Sequence, residues 1–527
     1  MAMTSLRKWT CIGVSGLIVL AAAGGSALAA DDVTRIQEKA EELATKVRGV
    51  WYESVGMGGK PGLDRAHRDY AYLLGPAKLK NMADLVAAAP DPKEKEAREQ
   101  LLRFLQMRTI WSQVAPTVDN YLGYAREASI QVPDGTLYYR RFWQQFSQTP
   151  DRNQRRVLYL AAGELVSNAN VYLLNIEIDL HNATERLGLG NYYDFLAETE
   201  GWDRELMREL AVEVLEKTTG EYTAIAEKMC QGLLEQELRR ARAYDVPILL
   251  AQHAFDGAFP SEKLEGLAGE ALGNLGIKLQ DQRYLRYDLK DREGKDPQCH
   301  TFPIDNGDNT RVTMISDGGL DDYRAFMRGL GQAQYYYGID PALPFEERFI
   351  GNPIVAMSFG ELFVRLFEEP AWIERHVPEA AQTQADLSEA LRFLRLYELR
   401  EAAGRYLFQL KFQADSKTPA SAYTEQIEQA TLIPQTGNEE GFYLLANDRF
   451  ASGGRLVAAV LEAHLRQKLI ADFGPEWFLS KRVGTYLESI ASEGFGRDWS
   501  DWAAEWGLAE MDAQLLLAEL NGGAGSD

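Results

Sequence analysis

The sequence predicts a mainly α-helical fold. Apolar residues recur at helical spacing through six long stretches, Pro- and Gly-rich punctuation falls between them, and one short run has strand character. Residues 31–50 form an amphipathic helix whose acidic start, Asp31 and Asp32, suits the positive end of a helix dipole. Glu94 to Trp111, Arg155 to Leu187 and Arg204 to Leu238 read the same way. Leu387 to Phe412 repeats Leu387, Leu391 and Leu394 along one face, and Arg455 to Ile470 completes the set. Ala89-Pro90-Asp91-Pro92 and Pro434-Gln435-Thr436-Gly437 mark breaks, and Arg311 to Ser316 is the strand-like run. With no internal repeat, low-complexity tract or long linker, residues 30–527 are expected to form one domain.

Of 527 residues, 46% are hydrophobic and 25% charged, which places the chain among globular proteins able to bury a sizeable core. A net charge of −22 excludes nucleic acid or an anionic membrane surface as a partner, since both demand a basic face, and favours cationic peptides. Arg7 and Lys8 precede an apolar run from Ile12 to Ala23, and Ala27-Leu28-Ala29 follows with small-x-small spacing. Residues 1–29 therefore read as a secretory signal peptide cut after Ala29. Cys11 precedes the apolar run, which excludes a lipoprotein anchor, and no later stretch is expected to reach the apolar length of a membrane span. The mature chain is expected to be exported, periplasmic or secreted, without membrane insertion; its oligomeric state is not fixed by these features. Cys230 and Cys299 remain after cleavage, enough for one disulfide but requiring none, and they suit buried structural thiols.

Hydrolytic zinc sites use paired histidines because a neutral imidazole binds zinc and four-residue spacing puts both on one helical face. The histidines here are His67, His181, His253, His300, His376 and His464, and no two lie within five residues of each other. A phosphate-binding loop, a GxSxG elbow and paired CxxC motifs are absent too, while Gly329-Leu330-Gly331 lacks the third glycine and preceding strand of a dinucleotide site. The residues alone therefore imply no catalytic motif and no cofactor.

Cys299-His300, Asn306-Gly307, Arg311, Gly331, Gln334-Tyr335-Tyr336, Asn352-Pro353 and Gly360 occur in an order and spacing that resemble the angiotensin-converting-enzyme family of zinc peptidyl-dipeptidases. Leu180 to Phe195, Ser416-Lys417-Thr418-Pro419 with Tyr423, and Ser480-Lys481 through Gly494-Phe495-Gly496-Arg497-Asp498-Trp499 extend the likeness over most of the mature chain. The resemblance implies a two-lobed helical peptidase fold of gluzincin type, with a deep central cleft and a very short β-sheet.

The same resemblance locates what has changed. The family's first histidine ligand falls on Arg328, its catalytic glutamate on Gly329, its second histidine on Gln332 and its third ligand on Met357. Glu361 stands where the family has aspartate; two tyrosines fall on Phe450 and Gly453; the lysine and histidine flanking Phe442 become Gly441 and Tyr443. Ile315 replaces a cysteine, so Cys299 loses the partner the family would give it. An arginine stays protonated and repels a cation, so the positions imply a peptidase-like protein without peptidase chemistry. His300 and Thr301, with Phe442 and Tyr443, are the candidate peptide contacts. Arg328 is open to two readings, an ion pair with Glu361 or a solvated cleft residue. The three tyrosines Tyr335, Tyr336 and Tyr337 suit packing as well as a cleft lining. For the whole chain three readings stand: a binding protein using the old cleft for a peptide or protein partner, an enzyme rebuilt around carboxylates such as Glu361, Asp321 and Asp322, or a scaffold keeping only the fold.

Overall fold

The computed structural model describes residues 22–415, 417–508 and 511–522, with side chains from residue 32 onward. Residues 1–21 of the expected signal peptide, and Ser416 of the Thr-Pro loop, lie outside them. The structure is 71% helical, so the expected class holds. The elements that position the site are α1 (Ala22–Trp51), α2 (Leu63–Arg68), α3 (Pro92–Glu127), the hairpin β1–β2 (Ser129–Val132 and Gly135–Tyr138), α4 (Arg152–Arg186), α5 (Tyr192–Glu200) and α6 (Arg204–Leu234). After these come β3 (Leu285–Asp288), β4 (His300–Asp305), β5 (Asn309–Thr313), α7 (Leu320–Gly338), α8 (Ile354–Glu368), α9 (Gln384–Ala414) and α10 (Ala451–Phe473). Shorter helices fill the connections. One continuous hydrophobic core gathers residues from Leu43 to Leu520, flanked by three smaller clusters.

Every helix expected from periodicity is present, and the differences at their ends have local causes. The helix expected to stop at Trp111 runs on to Glu127 through Pro116, because Val114, Ala115, Val118 and Leu122 continue the buried face past the proline. The helix expected to reach Leu238 ends at Leu234, where Glu235 turns left-handed (φ 54°). The strand expected at Arg311 to Ser316 is β5, which leaves the ladder at Thr313; Met314 and Ile315 then donate to Asp288 and Pro297 carbonyls outside it. β5 is the middle strand of a three-stranded sheet, parallel to β3 and antiparallel to β4, with His300 opposite Thr313 and Thr301 opposite Val312. Asn306-Gly307 makes the turn between β4 and β5, with Gly307 left-handed (φ 86°) and its amide bound to the Tyr336 carbonyl.

The expectation that no later stretch is long and apolar enough to span a membrane is corrected by α4, which meets that test by length and composition. It is an integral helix of the fold: buried Arg155 pairs with Asp245 at 3.0 Å, and Glu177 is buried further along.

α7 and α8 carry the positions of interest, and their crossing is unusually close. α8 is buried almost all round, from Ile354 to Glu368, as befits a central helix. α7 turns Leu320, Tyr323, Met327, Leu330, Gly331 and Gln334 inward at helical spacing. A Cβ on Gly331 would lie 2.4 Å from the Phe359 carbonyl oxygen, and one on Gly360 would lie 3.0 Å from Gln332 Cγ and 3.1 Å from Arg328 Cγ. Backbone therefore meets backbone, which any side chain at Gly331 would prevent. Gly331→Ala should destabilise the protein by about 1–3 kcal/mol in a denaturant melt. Gly360→Ala should cost less, because the atoms it meets belong mainly to flexible side chains.

Candidate functional site

The glycine crossing brings the faces bearing Arg328 and Glu361 together, and what they form is a network of charge. Arg328 Nε donates to Glu361 Oε1 at 2.9 Å and its Nη2 to Glu398 Oε2, on α9, at 3.0 Å. Arg455, on α10, reaches the same two carboxylates at 3.3 and 2.6 Å. Arg324, one turn before Arg328, donates to Glu398 at 2.6 Å and to Glu368 at 2.8 Å, and Arg365 closes on Glu368 at 2.8 Å. Four arginines and three glutamates from four helices are thus joined at one place. Arg324 and Glu368 are each 2% exposed, whereas Arg328, Glu361, Glu398, Arg455 and Arg365 keep 15 to 26% of their side chains accessible, so water reaches the network around a dry Arg324–Glu368 pair.

Burial pushes the Glu361 carboxyl up, but Arg328 and Arg455 beside it reverse this and hold it below its usual value. Glu398 is likewise raised by burial and then driven well below the usual carboxylate range by Arg324, Arg328 and Arg455. Burial lowers Arg328, yet Glu361 and Glu398 more than compensate, so the guanidinium remains charged. Both carboxylates are fixed as ionised acceptors with guanidinium partners, a poor condition for proton transfer.

The other inherited positions are filled as well. A Cβ on Gly329 would lie 2.6 Å from Cys299 Sγ and 3.2 Å from Val312 Cγ1, so α7 presses against the sheet where the resemblance places a catalytic glutamate. Thr301 Oγ1 donates to the Gly329 carbonyl at 2.9 Å and ties β4 to the same turn. Cys299 and Cys230 are both free, and burial pushes the Cys299 thiol up to about 12. Met357 is half-buried, its sulfur 3.6 Å from where a Cβ on Gly454 would lie. Space for a tyrosine at Gly453 is taken by Met207 Sδ and the Tyr406 ring, 2.7 and 2.8 Å from its would-be Cβ. Phe450 is fully buried in left-handed backbone (φ 74°) against Tyr193 and Trp202.

The remaining sequence candidates separate. His300 is 31% exposed, its Nε2 3.5 Å from Asp296 Oδ1, and stays beside the sheet end of α7. Phe442 is corrected as a peptide contact: it is 4% exposed and stacked on Tyr159 at 5.4 Å in a cluster with Phe142. Tyr443 packs edge-on to Phe412. Tyr335 is core, its hydroxyl donating to the Gly494 carbonyl, while Tyr336 and Tyr337 are half-buried. Asp322 Oδ2 accepts from Ser316 Oγ and from the amides of Asp317 and Gly318, which fastens the start of α7; burial raises this carboxyl to about 7. Asp321 makes no hydrogen bond to the network. Sequence reasoning missed Arg324, Arg365, Glu368, Glu398 and Arg455. Arg324 and Arg365 left a signal, their four-residue spacings from Arg328 and Glu361.

A tetrahedral zinc site needs imidazole, thiolate or carboxylate donors. Arg328, Gln332 and Met357 supply a guanidinium, an amide and a thioether instead, and do not fit that metal. Among the described residues no group of three or more His, Cys, Asp or Glu side chains is placed to hold an ion.

Against solved structures the chain resembles one assigned as oligoendopeptidase F, with TM-score 0.64 and 15% identity over 95% of this chain and 92% of that one. It also resembles PZ peptidase A with an inhibitor, at TM-score 0.61 and 13% identity over 84% and 83% of the two chains. A structure assigned as oligoendopeptidase F from Bacillus anthracis gives TM-score 0.57 and 12% identity over 87% and 82%. No family model and no curated protein matches the sequence. Likenesses at this identity carry the fold alone. They show a fold shared with these peptidase structures and do not single out the angiotensin-converting-enzyme family.

Arg328→Ala should lower stability by about 2–3 kcal/mol in a thermal or denaturant melt, below the cost of breaking a fully dry pair because water touches Arg328. The network's pH dependence has a definite sign. Carboxyls whose folded pKa is depressed contribute stability that is present above the unfolded value, about 4.3, and lost as pH falls toward the folded one. The stability gap between wild type and Glu398→Gln should therefore be largest near pH 7 and shrink steadily below about pH 4.

Proposed function

We propose that this protein is an exported, catalytically inactive peptidyl-dipeptidase-like protein, periplasmic or secreted, that uses the inherited cleft to bind a peptide or protein partner. The observation that carries this reading is the charge network joining Arg324, Arg328, Arg365 and Arg455 to Glu361, Glu368 and Glu398, in which Arg328 stands where the resemblance places the first zinc ligand. A guanidinium at a ligand position opposes metal binding, and the glutamates that might serve a rebuilt site are held ionised. Gly329 leaves no room for a general base against Cys299.

The partial exposure of the network supports binding over a purely structural role. Arg328, Glu361, Glu398 and Arg455 remain partly accessible and present alternating charge to anything entering there. The chain's acidity favours a cationic peptide, which long-range attraction would steer toward it. The rebuilt-enzyme reading would need a carboxyl free to exchange a proton in the network; Asp322, raised to about 7, is engaged in fastening the start of α7, and Asp321, which burial also raises, makes no hydrogen bond to the network.

Two measurements on purified protein test this. Metal analysis with a dipeptide-releasing assay should find no stoichiometric zinc, no hydrolysis, and a melting temperature indifferent to chelator. One zinc per chain whose removal abolishes hydrolysis would overturn the inactive reading. Titration with short Lys/Arg-rich peptides and acidic controls should show saturable binding of the cationic set alone, weakened by added salt; equal indifference to both sets would favour the scaffold.

A further inference from the structure

Away from the charge network, α1, α2, α3 and α5 enclose a cavity of about 230 Å³ that Arg449 also lines. This is below the ≈300–1,000 Å³ of sites for drug-sized ligands and suits a molecule of few atoms. Its wall is chemically divided. Trp51, Trp111, Met107 and Leu196 supply an apolar and aromatic body. Against it stand Arg108, Arg449, His67, Tyr192 and Glu200.

The polar side is short of partners. His67 Nε2, Tyr192 Oη, Arg108 Nε and Arg449 Nε are buried with no hydrogen-bond partner among the described residues, while Arg449 Nη2 faces Glu177 Oε1 at 3.8 Å; His67 is 3% exposed and Tyr192 fully buried. Buried polar groups are ordinarily satisfied, so four around one small cavity require an explanation. His67 Nδ1 lies 2.8 Å from the Leu63 carbonyl and must donate to it. Burial, aided by Arg108, holds the ring neutral at physiological pH, which leaves Nε2 an acceptor. Glu200 is a second acceptor, oriented by Trp202 Nε1 at 2.8 Å. Arg108, Arg449 and Tyr192 are the donors. Arg449 is stacked over Trp111 at 5.1 Å and held there by two consecutive left-handed residues, itself (φ 52°) and Phe450 (φ 74°), backbone strain of the kind found at functional sites. Its side chain is 34% exposed, which gives the cavity an opening.

We propose that this cavity binds one free apolar α-amino acid, its carboxylate on Arg108 and Arg449, its ammonium on Glu200 and His67 Nε2, and its side chain between Trp51 and Trp111. Two cationic donors beside two acceptors match a zwitterion, whereas a plain carboxylate would leave His67 Nε2 unmet. The site is independent of the peptide-binding reading, since it shares no residue with the charge network.

The probes are L-leucine, leucinamide and 4-methylpentanoate, which carry both charged groups, the ammonium only and the carboxylate only. Each is titrated into the full chain with intrinsic fluorescence and thermal shift as readouts. L-leucine should raise the melting temperature saturably and perturb tryptophan emission, with each single-charge analogue at least about tenfold weaker. Arg108→Gln should weaken L-leucine about tenfold or more, and Arg108→Lys, which keeps a cation beside Glu200, should restore part of the affinity. No saturable response to L-leucine, or equal responses to all three ligands, would overturn the proposal on the wild-type chain alone, leaving the cavity to ordered water.

Discussion

The arrangement depends on a steric constraint: at Gly331 and Gly360 two helices pass with nothing between them but backbone. That contact fixes how Arg328 faces Glu361, and so decides which side chains from α9 and α10 can join them. Ion pairs are short-ranged and directional, and a network spread over four helices forms only if their relative positions are already set. The order of cause therefore runs from glycine to crossing to charge. The network stabilises a geometry that packing has chosen.

Seen this way, the charges resolve an electrostatic problem that any protein retaining this helix pair without zinc ligands would meet. A buried interior cannot hold isolated ions, and seven charged side chains are tolerable here only because each arginine finds at least one carboxylate. Glu398 carries most of this burden, accepting from three guanidiniums. Gly453, filled by Met207 and Tyr406, and Gly329, filled by Cys299, show the same closure by apolar means.

Much of the fold was legible because helical periodicity is a local property. The stretches around Leu387 and Arg455 announced α9 and α10 within a few residues. The end of α3 was not legible, because Pro116 is a local stop signal that burial of Val118 and Leu122 overrides. β4 and the β1–β2 hairpin are too short to leave a periodic trace. Within the site, Arg328 and Glu361 were visible as paired possibilities, since both lie within one motif-bearing segment. Glu398 and Arg455 come from distant helices and carry no local mark of their destination. Phe442 illustrates the opposite error, a position whose inherited role suggested a surface and whose tertiary neighbours, Tyr159 and Phe142, enclose it.

Cys299 has a use of another kind. Its sulfur is lodged under Gly329, between α7 and the sheet, and its thiol is pushed up to about 12, so it offers almost no thiolate while the helix stays down. The residue is half-buried, so an alkylating reagent waits less on access than on a thiolate, which forms more readily when α7 lifts away. The rate at which this sulfur is modified is then a clock for that opening, read by mass spectrometry against Cys230, whose burial along α6 reports a different region. The molecule carries a built-in timer for the motion that would expose its central helix.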